Sequence, residues 1–228
     1  MINPFGFIIT VLYFKIAQKL KKLPILKNLP PILTAGILLI LTLELFDIDY
    51  KTYNESASYI TLLLIPATIS LGYPIYKNTK LLKKNKRIIY CAFFVAVFVA
   101  VISTYIIAKF CHTNLNIIES MLPKSVTAPI AVEISKSIGA IPELTACVVV
   151  LTGVFGALFG HKILALCKVK NDIAIGLSMG ASSHVIGTSR CVEIGKSKQV
   201  VMASVAFVLV ALITTLMIPL FLLFLNLD

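Results

Sequence analysis

The chain has 228 residues, 58% of them hydrophobic and 14% charged, with a formal net charge of +11 and a mean hydropathy of +0.96. That balance excludes a water-soluble domain, whose solvated surface needs a larger charged share, and reads as an integral protein of the lipid bilayer. The lysines lie between apolar runs instead of on one basic face, so they are cytoplasmic flanks of membrane spans and nucleic acid is excluded as a partner.

The N-terminal "MINPFGFIITVLYFK" has no basic residue before its apolar run, which predicts a retained first span and not a cleaved signal peptide. Basic clusters follow at Lys15, Lys19, Lys21, Lys22 and Lys27 and again at Lys77, Lys80, Lys83, Lys84, Lys86 and Arg87, and both loops belong on the cytoplasmic side. Between them "FDIDYKTYNES" carries Asp47, Asp49 and Glu55 and suits the opposite side. The first four spans are therefore predicted at 4–20, 29–46, 57–76 and 88–110, with the N-terminus outside. In "IPATISLGYPIY" Pro66 and Pro74 bend or break the third span, which lets Thr68 and Tyr76 face one cavity. The uncharged runs 56–76, 88–108 and 199–227 each exceed the roughly 20 residues a helix needs to cross. None alternates like a barrel strand, so the fold class is an all-α polytopic membrane protein.

The second half carries polar residues inside its apolar segments. If 115–138 crossed fully and 142–161 crossed back, Lys162, Lys168 and Lys170 would face outside, against the charge rule. A segment 115–138 that dips in and returns puts that loop in the cytoplasm. The same reasoning makes 173–195, with Arg190, Lys196 and Lys198 at its exit, a second dip from the cytoplasmic face, followed by a last span at 199–226. The prediction is about six full spans plus two re-entrant or broken helices, in a cell inner or plasma membrane with both termini outside. Eight conventional crossings are the alternative. The chain is one membrane domain, with an N-terminal four-helix half at 1–112 and a C-terminal half at 113–228.

Chemistry is expected at the two dips. In "MLPKSVTAPIAVEIS", residues 121–135, Pro123 and Pro129 each remove an amide donor and disfavour helix in the preceding residue. Broken backbone at membrane depth is tolerated only inside protein or around a water-filled cavity. A helix beginning near Pro129 would turn its free N–H groups toward Lys124, Ser125 and Thr127, an arrangement suited to a carboxylate and typical of midplane transporter sites. In "GLSMGASSHVIGTSRCVEIGK" Gly176, Gly180 and Gly187 permit tight packing or unwinding, with Gly187 the expected break. Ser183, His184, Thr188, Arg190 and Glu193 supply donors, an imidazole and charges. Lys124 or Arg190 would hold the carboxylate and Ser125, Thr127, Ser183 and Thr188 its remaining oxygens. His184, with Glu193, would take part in proton coupling.

Plainer roles compete for some of these residues. Lys124 and Lys136 could snorkel to an interface. "GVFGALFG" and "GLSMG" carry GxxxG spacing suited to helix packing, which also allows a homodimer. His112 and His161 sit at predicted membrane edges. The cysteines at 91, 111, 147, 167 and 191 form no CxxC pair, so no metal, redox site or cofactor is expected. There is no phosphate loop, HExxH or GxSxG, and catalysis is not expected.

"LPKSVTAPIA" at 122–131, "IGAIPELTA" at 138–146, "TGVFGALFG" at 152–160 and "SHVIGTSRCVEIG" at 183–195 together resemble the LrgB/CidB family, as does "IPATISLGYPIYK" at 65–77. That family includes antiholin-like proteins and regulators of murein hydrolase export, and it is similar to the membrane portion of the plastid glycolate/glycerate translocator. The chain departs from the pattern at Ile65, where the family commonly has glycine, and at Ala128, where it often has threonine. Ser125 and Thr127 remain, so the departure bears on substrate preference before it bears on the site. The resemblance implies either secondary transport of small monocarboxylates of the glycolate, glycerate or pyruvate type, or control of autolysis with a small holin-like membrane partner through pore formation or membrane energetics. Paired helix breaks carrying Lys124, Ser125, Thr127, His184 and Arg190 favour transport, since a simple pore needs none of them.

Overall fold

The structure is a computed structural model that describes residues 4–23, 29–63, 66, 69, 72–84 and 86–225. Every element among the described residues is an α-helix, as the composition requires. The chain forms two units, residues 1–70 and 71–228.

The first unit contains α1 (Phe5–Leu20), α2 (Pro31–Leu45) and α3 (Tyr50–Leu62). Pro31 occupies the first turn of α2, where its missing N–H costs nothing. Gly6 lets α1 approach α3 closely, because a Cβ there would collide with the Tyr53 carbonyl. Around that contact the Phe7 amide donates to Ser56 Oγ at 3.3 Å and Thr10 Oγ1 meets the Tyr53 hydroxyl at 2.8 Å. The acidic connection "FDIDYKTYNES" is thus helical from Tyr50 onward, with Asp49 extended at the N-cap. It holds no Gly or Pro to oppose a helix, and packing on α1 supplies the reason to form one. Of the predicted break in the third span, Pro66 is helical and exposed and Thr68 lies outside the described residues.

The second unit contains α4 (Gly72–Lys77), α5 (Thr79–Lys84), α6 (Lys86–Phe110), α7 (Leu115–Met121), α8 (Ala128–Ser137), α9 (Pro142–Leu166), α10 (Asp172–Ile194) and α11 (Ser197–Leu225). Lys86–Phe110, Pro142–Leu166 and Ser197–Phe224 are long and apolar enough to cross a membrane. On α6 a stripe of Ile89, Phe93, Val97 and Val101 is buried with Met202, Val205 and Val210 of α11. Its other faces expose Phe94, Phe98 and Ile106 to more than half their area. A helix apolar on every side fits lipid, where association rests on close packing instead of water exclusion. Because of this packing α6, predicted as the last helix of the N-terminal half, sorts with the C-terminal helices.

Two segments of the second unit fold back on themselves. Ser120 of α7 and Ser135 of α8 meet at one residue of α9: Thr145 Oγ1 lies 2.8 Å from the Ser120 carbonyl and 2.9 Å from Ser135 Oγ. The Ile141 amide also donates to Ser120 Oγ at 2.9 Å. With α7 and α8 brought together beyond it, residues 122–127 are the tip of a hairpin in which Pro123 is buried.

In α10, Gly176 faces Gln199 and Met202, and Gly180 faces Ala203, so the first half of α10 runs parallel to α11. Only Gly195 and Lys196 join the two helices, so the second half of α10 must run back. The reversal is at His184, with φ 42° and ψ −133°, a conformation that costs a non-glycine residue about 1–3 kcal/mol and persists only where surrounding packing enforces it. Gly187, the expected break, is instead a contact point, since a Cβ there would lie 2.5 Å from the Met179 carbonyl. Asp172 ties the start of α10 to α11 by accepting from Gln199 Nε2 at 2.7 Å and Lys196 Nζ at 3.1 Å. The bond from Gln199, then that from Lys196, holds its carboxyl below the usual carboxylate range. His161, predicted at an interface, joins the same group through Gln199 Oε1 at 3.2 Å.

Candidate functional site

The tips of the two hairpins share a cavity of about 540 Å³. Lys124 and Ser125 enter it from the first tip, Ser178, Ser182 and Ser183 from the second, and Thr152 from α9, against apolar walls that include Val95, Val99 and Phe155. Lys124 Nζ donates to Thr104 Oγ1 of α6 at 2.7 Å. The Thr104 hydroxyl lies 2.6 Å from the Ala100 carbonyl, to which it donates its one proton, so its oxygen faces Lys124 as an acceptor. Among the described residues no carboxylate pairs with Lys124. Lys124 thus shares a largely apolar cavity with the hydroxyl-bearing Ser125, Thr152, Ser178, Ser182 and Ser183.

Such a charge is costly to hold unpaired, and an arriving anion relieves that cost. The gross attraction between unit charges 4 Å apart is about 4 kcal/mol at an effective dielectric of about 20, before desolvation is subtracted.

Small residues on α9 let the second hairpin in. A Cβ on Gly156 would collide with Ser183 Oγ, one on Gly153 would lie 2.6 Å from His184 Cε1, and one on Gly160 would lie 2.6 Å from Met179 Sδ. The "GVFGALFG" stripe is thus occupied within the chain, by α10.

The predicted site residues divide in two. Lys124, Ser125 and Ser183 line the cavity. Thr127 is buried at the N-cap of α8, and Pro129 lies in that helix's first turn. His184 is buried with Nε2 3.0 Å from the Val149 carbonyl, which can only accept, so that nitrogen carries the proton. Thr188 Oγ1 donates to the His184 carbonyl at 3.0 Å. Arg190 pairs with Glu193 at 2.8 Å, both side chains about one-third exposed. None of these five lines the cavity with Lys124, and neither does Glu193. Arg190 is thus paired one helical turn along its own helix, away from the cavity that Lys124 lines.

Thr104, Thr152, Ser178 and Ser182 were not singled out in the sequence. Thr104 had a readable signal, as one of two adjacent hydroxyls in the apolar "AVISTYIIA". Thr104→Val keeps the shape of the side chain and removes the acceptor. Losing a hydrogen bond to a charged group costs about 1.5–3 kcal/mol. Thr104→Val is therefore expected to melt below the parent in detergent, with Thr104→Ser restoring the parent value; equal melting of all three forms would show that Thr104 does not hold Lys124.

Two helical hairpins whose tips share a cavity, among helices of membrane length, define an all-helical membrane protein with discontinuous helices. The chain belongs to the LrgB-like family, which it matches over residues 10–224. It is 35% identical over 207 residues to uncharacterized protein YwbG of Bacillus subtilis (strain 168), covering 90% of this chain and 91% of that protein. It is 34% identical over 218 residues to antiholin-like protein LrgB of the same strain, covering 95% and 94% of the two chains. Antiholin-like protein LrgB of Bacillus mycoides (strain KBAB4) is 34% identical over 196 residues, covering 86% and 85%. No solved structure matches the chain.

Proposed function

We propose that the chain is a multi-pass plasma-membrane protein of the antiholin-like regulatory type, and that its molecular activity is carriage of small organic monocarboxylates. The printed names of relatives about 34% identical over nearly their whole length support the regulatory reading. The observation that supports carriage is Lys124, an ammonium without a carboxylate partner among the described residues, set among serine and threonine hydroxyls where the two hairpin tips meet. The two readings are compatible, because carboxylate flux coupled to protons would alter the proton balance across the membrane and could itself trigger lysis. In this reading the hairpins are re-entrant from opposite faces, six helices cross, and both termini lie outside.

Glycolate, glycerate and pyruvate are the substrates to test, each with one carboxylate for Lys124 and an oxygen for Ser125 or Ser183. Counterflow in proteoliposomes decides between carriage and a pore. Labelled acid should accumulate transiently above equilibrium when the vesicles are preloaded with unlabelled acid. Conductance without counterflow, or no flux of any of the three from folded protein, would leave the regulatory reading standing without a carrier beneath it.

A further inference from the structure

Two further openings lie along α6 beside the cavity at Lys124. A cavity of about 330 Å³ shares Val95, Ala96, Ser178 and Ala181 with it and reaches Ile88 and Asn171, near the start of α6. At the other end of α6 a more polar pocket of about 470 Å³ is lined by Tyr105, Lys109, His112, Glu119 and Leu122. Its cation is Lys109, with Nζ 3.2 Å from the Tyr105 hydroxyl and 5.4 Å from the ring centroid. Ala100 lines the central cavity and Tyr105 the end pocket, and five residues of helix rise only about 7.5 Å. Between them lie Thr104, bonded to Lys124, and Leu122, which is 1% exposed and packs with Ile118 in the core.

We infer that these openings are one route along α6, open from the central cavity to the Ile88 end and shut on the Lys109 side by Leu122 and the Thr104–Lys124 bond. The pocket at Lys109 and Glu119 is its second mouth. Leu122 is suited to the role because it sits in the turn of a hairpin, not within a long helix. A small movement of the 122–127 tip would withdraw it and release Lys124 from Thr104 at once. The purpose of the route rests on the proposed carriage, but its existence can be tested without any substrate.

The test uses the full chain with its five cysteines replaced, reconstituted in sealed vesicles, and a membrane-impermeant thiol reagent applied to one face at a time. Cysteines restored singly at 111 and 167 mark the two ends. Ser182→Cys is expected to react only from the face that labels Cys167, and Glu119→Cys only from the face that labels Cys111. Adding Leu122→Ala should raise the reaction of Ser182→Cys from the Cys111 face at least tenfold. Reaction of both probes from one face overturns the inference, as does one-sided reaction of Ser182→Cys in a folded Leu122→Ala chain. If Leu122→Ala does not fold, the sidedness of the two probes decides the matter alone. Failure of counterflow with opposite sidedness intact would remove the carrier and leave the route.

Discussion

Lys124→Ala is expected to abolish saturable counterflow of small monocarboxylates, with Cys111→Ser unchanged beside it. Among the described residues Lys124 is the one cation that lines the central cavity, and its hydrogen-bond partner is a neutral hydroxyl. Removing a charged hydrogen-bond partner costs about 1.5–3 kcal/mol, which is about 10–150-fold in affinity, and losing the ion's longer-range attraction adds to it. Lys124→Arg separates charge from geometry. A planar guanidinium cannot reproduce the ammonium's single bond to Thr104, so binding should weaken without vanishing. Counterflow by Lys124→Ala equal to that of the unaltered protein would sink the assignment of the cavity, whatever the substrate.

Gly180→Ala should produce the largest loss of stability among the glycine substitutions of the second unit. A Cβ at 180 would collide with the Ala203 carbonyl and lie 2.7 Å from its Cα, and Ala203 is wholly buried. These are backbone atoms of α11, with no flexible end to give way, so the parallel pair must separate. Overpacking of this kind costs about 1–3 kcal/mol, and each kcal/mol lowers Tm by about 2–4 °C in a chain of this size. Gly36→Ala is the control, because among the described residues no atom beyond its own stretch of helix lies within 4 Å of its Cβ position, and alanine is the better helix former by about 1 kcal/mol. Thermal unfolding in detergent should show Gly180→Ala melting well below the parent and Gly36→Ala at or above it. Equal melting of the two would mean that α10 and α11 are not packed as described.

The fold class was legible because hydropathy and helix length are local properties. Lys86–Phe110, Pro142–Leu166 and Ser197–Phe224 declare themselves by composition, and the two prolines around Lys124 announce broken helix through their missing donors. The charge of Lys124 and the hydroxyls of Ser125 and Ser183 were readable for the same reason: polar groups in an apolar segment need an explanation that each segment supplies by itself. Thr104 was the exception, since a threonine in a membrane helix commonly bonds its own backbone, and this one does that and accepts from Lys124 as well.

The amino-acid sequence by itself determined that this is an all-helical membrane protein of the LrgB-like family whose second half carries polar residues inside two apolar segments, 115–138 and 173–195. Only the tertiary structure decided which of those residues act together. It carried Lys124 and Ser183 into one cavity, turned Arg190 away to Glu193, moved the second break from Gly187 to His184 and grouped α6 with the C-terminal helices. The reason is that each outcome depends on a close approach between segments far apart in the chain: Gly156 to Ser183, Gly180 to Ala203, Thr104 to Lys124. Local preference permits several partners for each of these residues, and packing selects one.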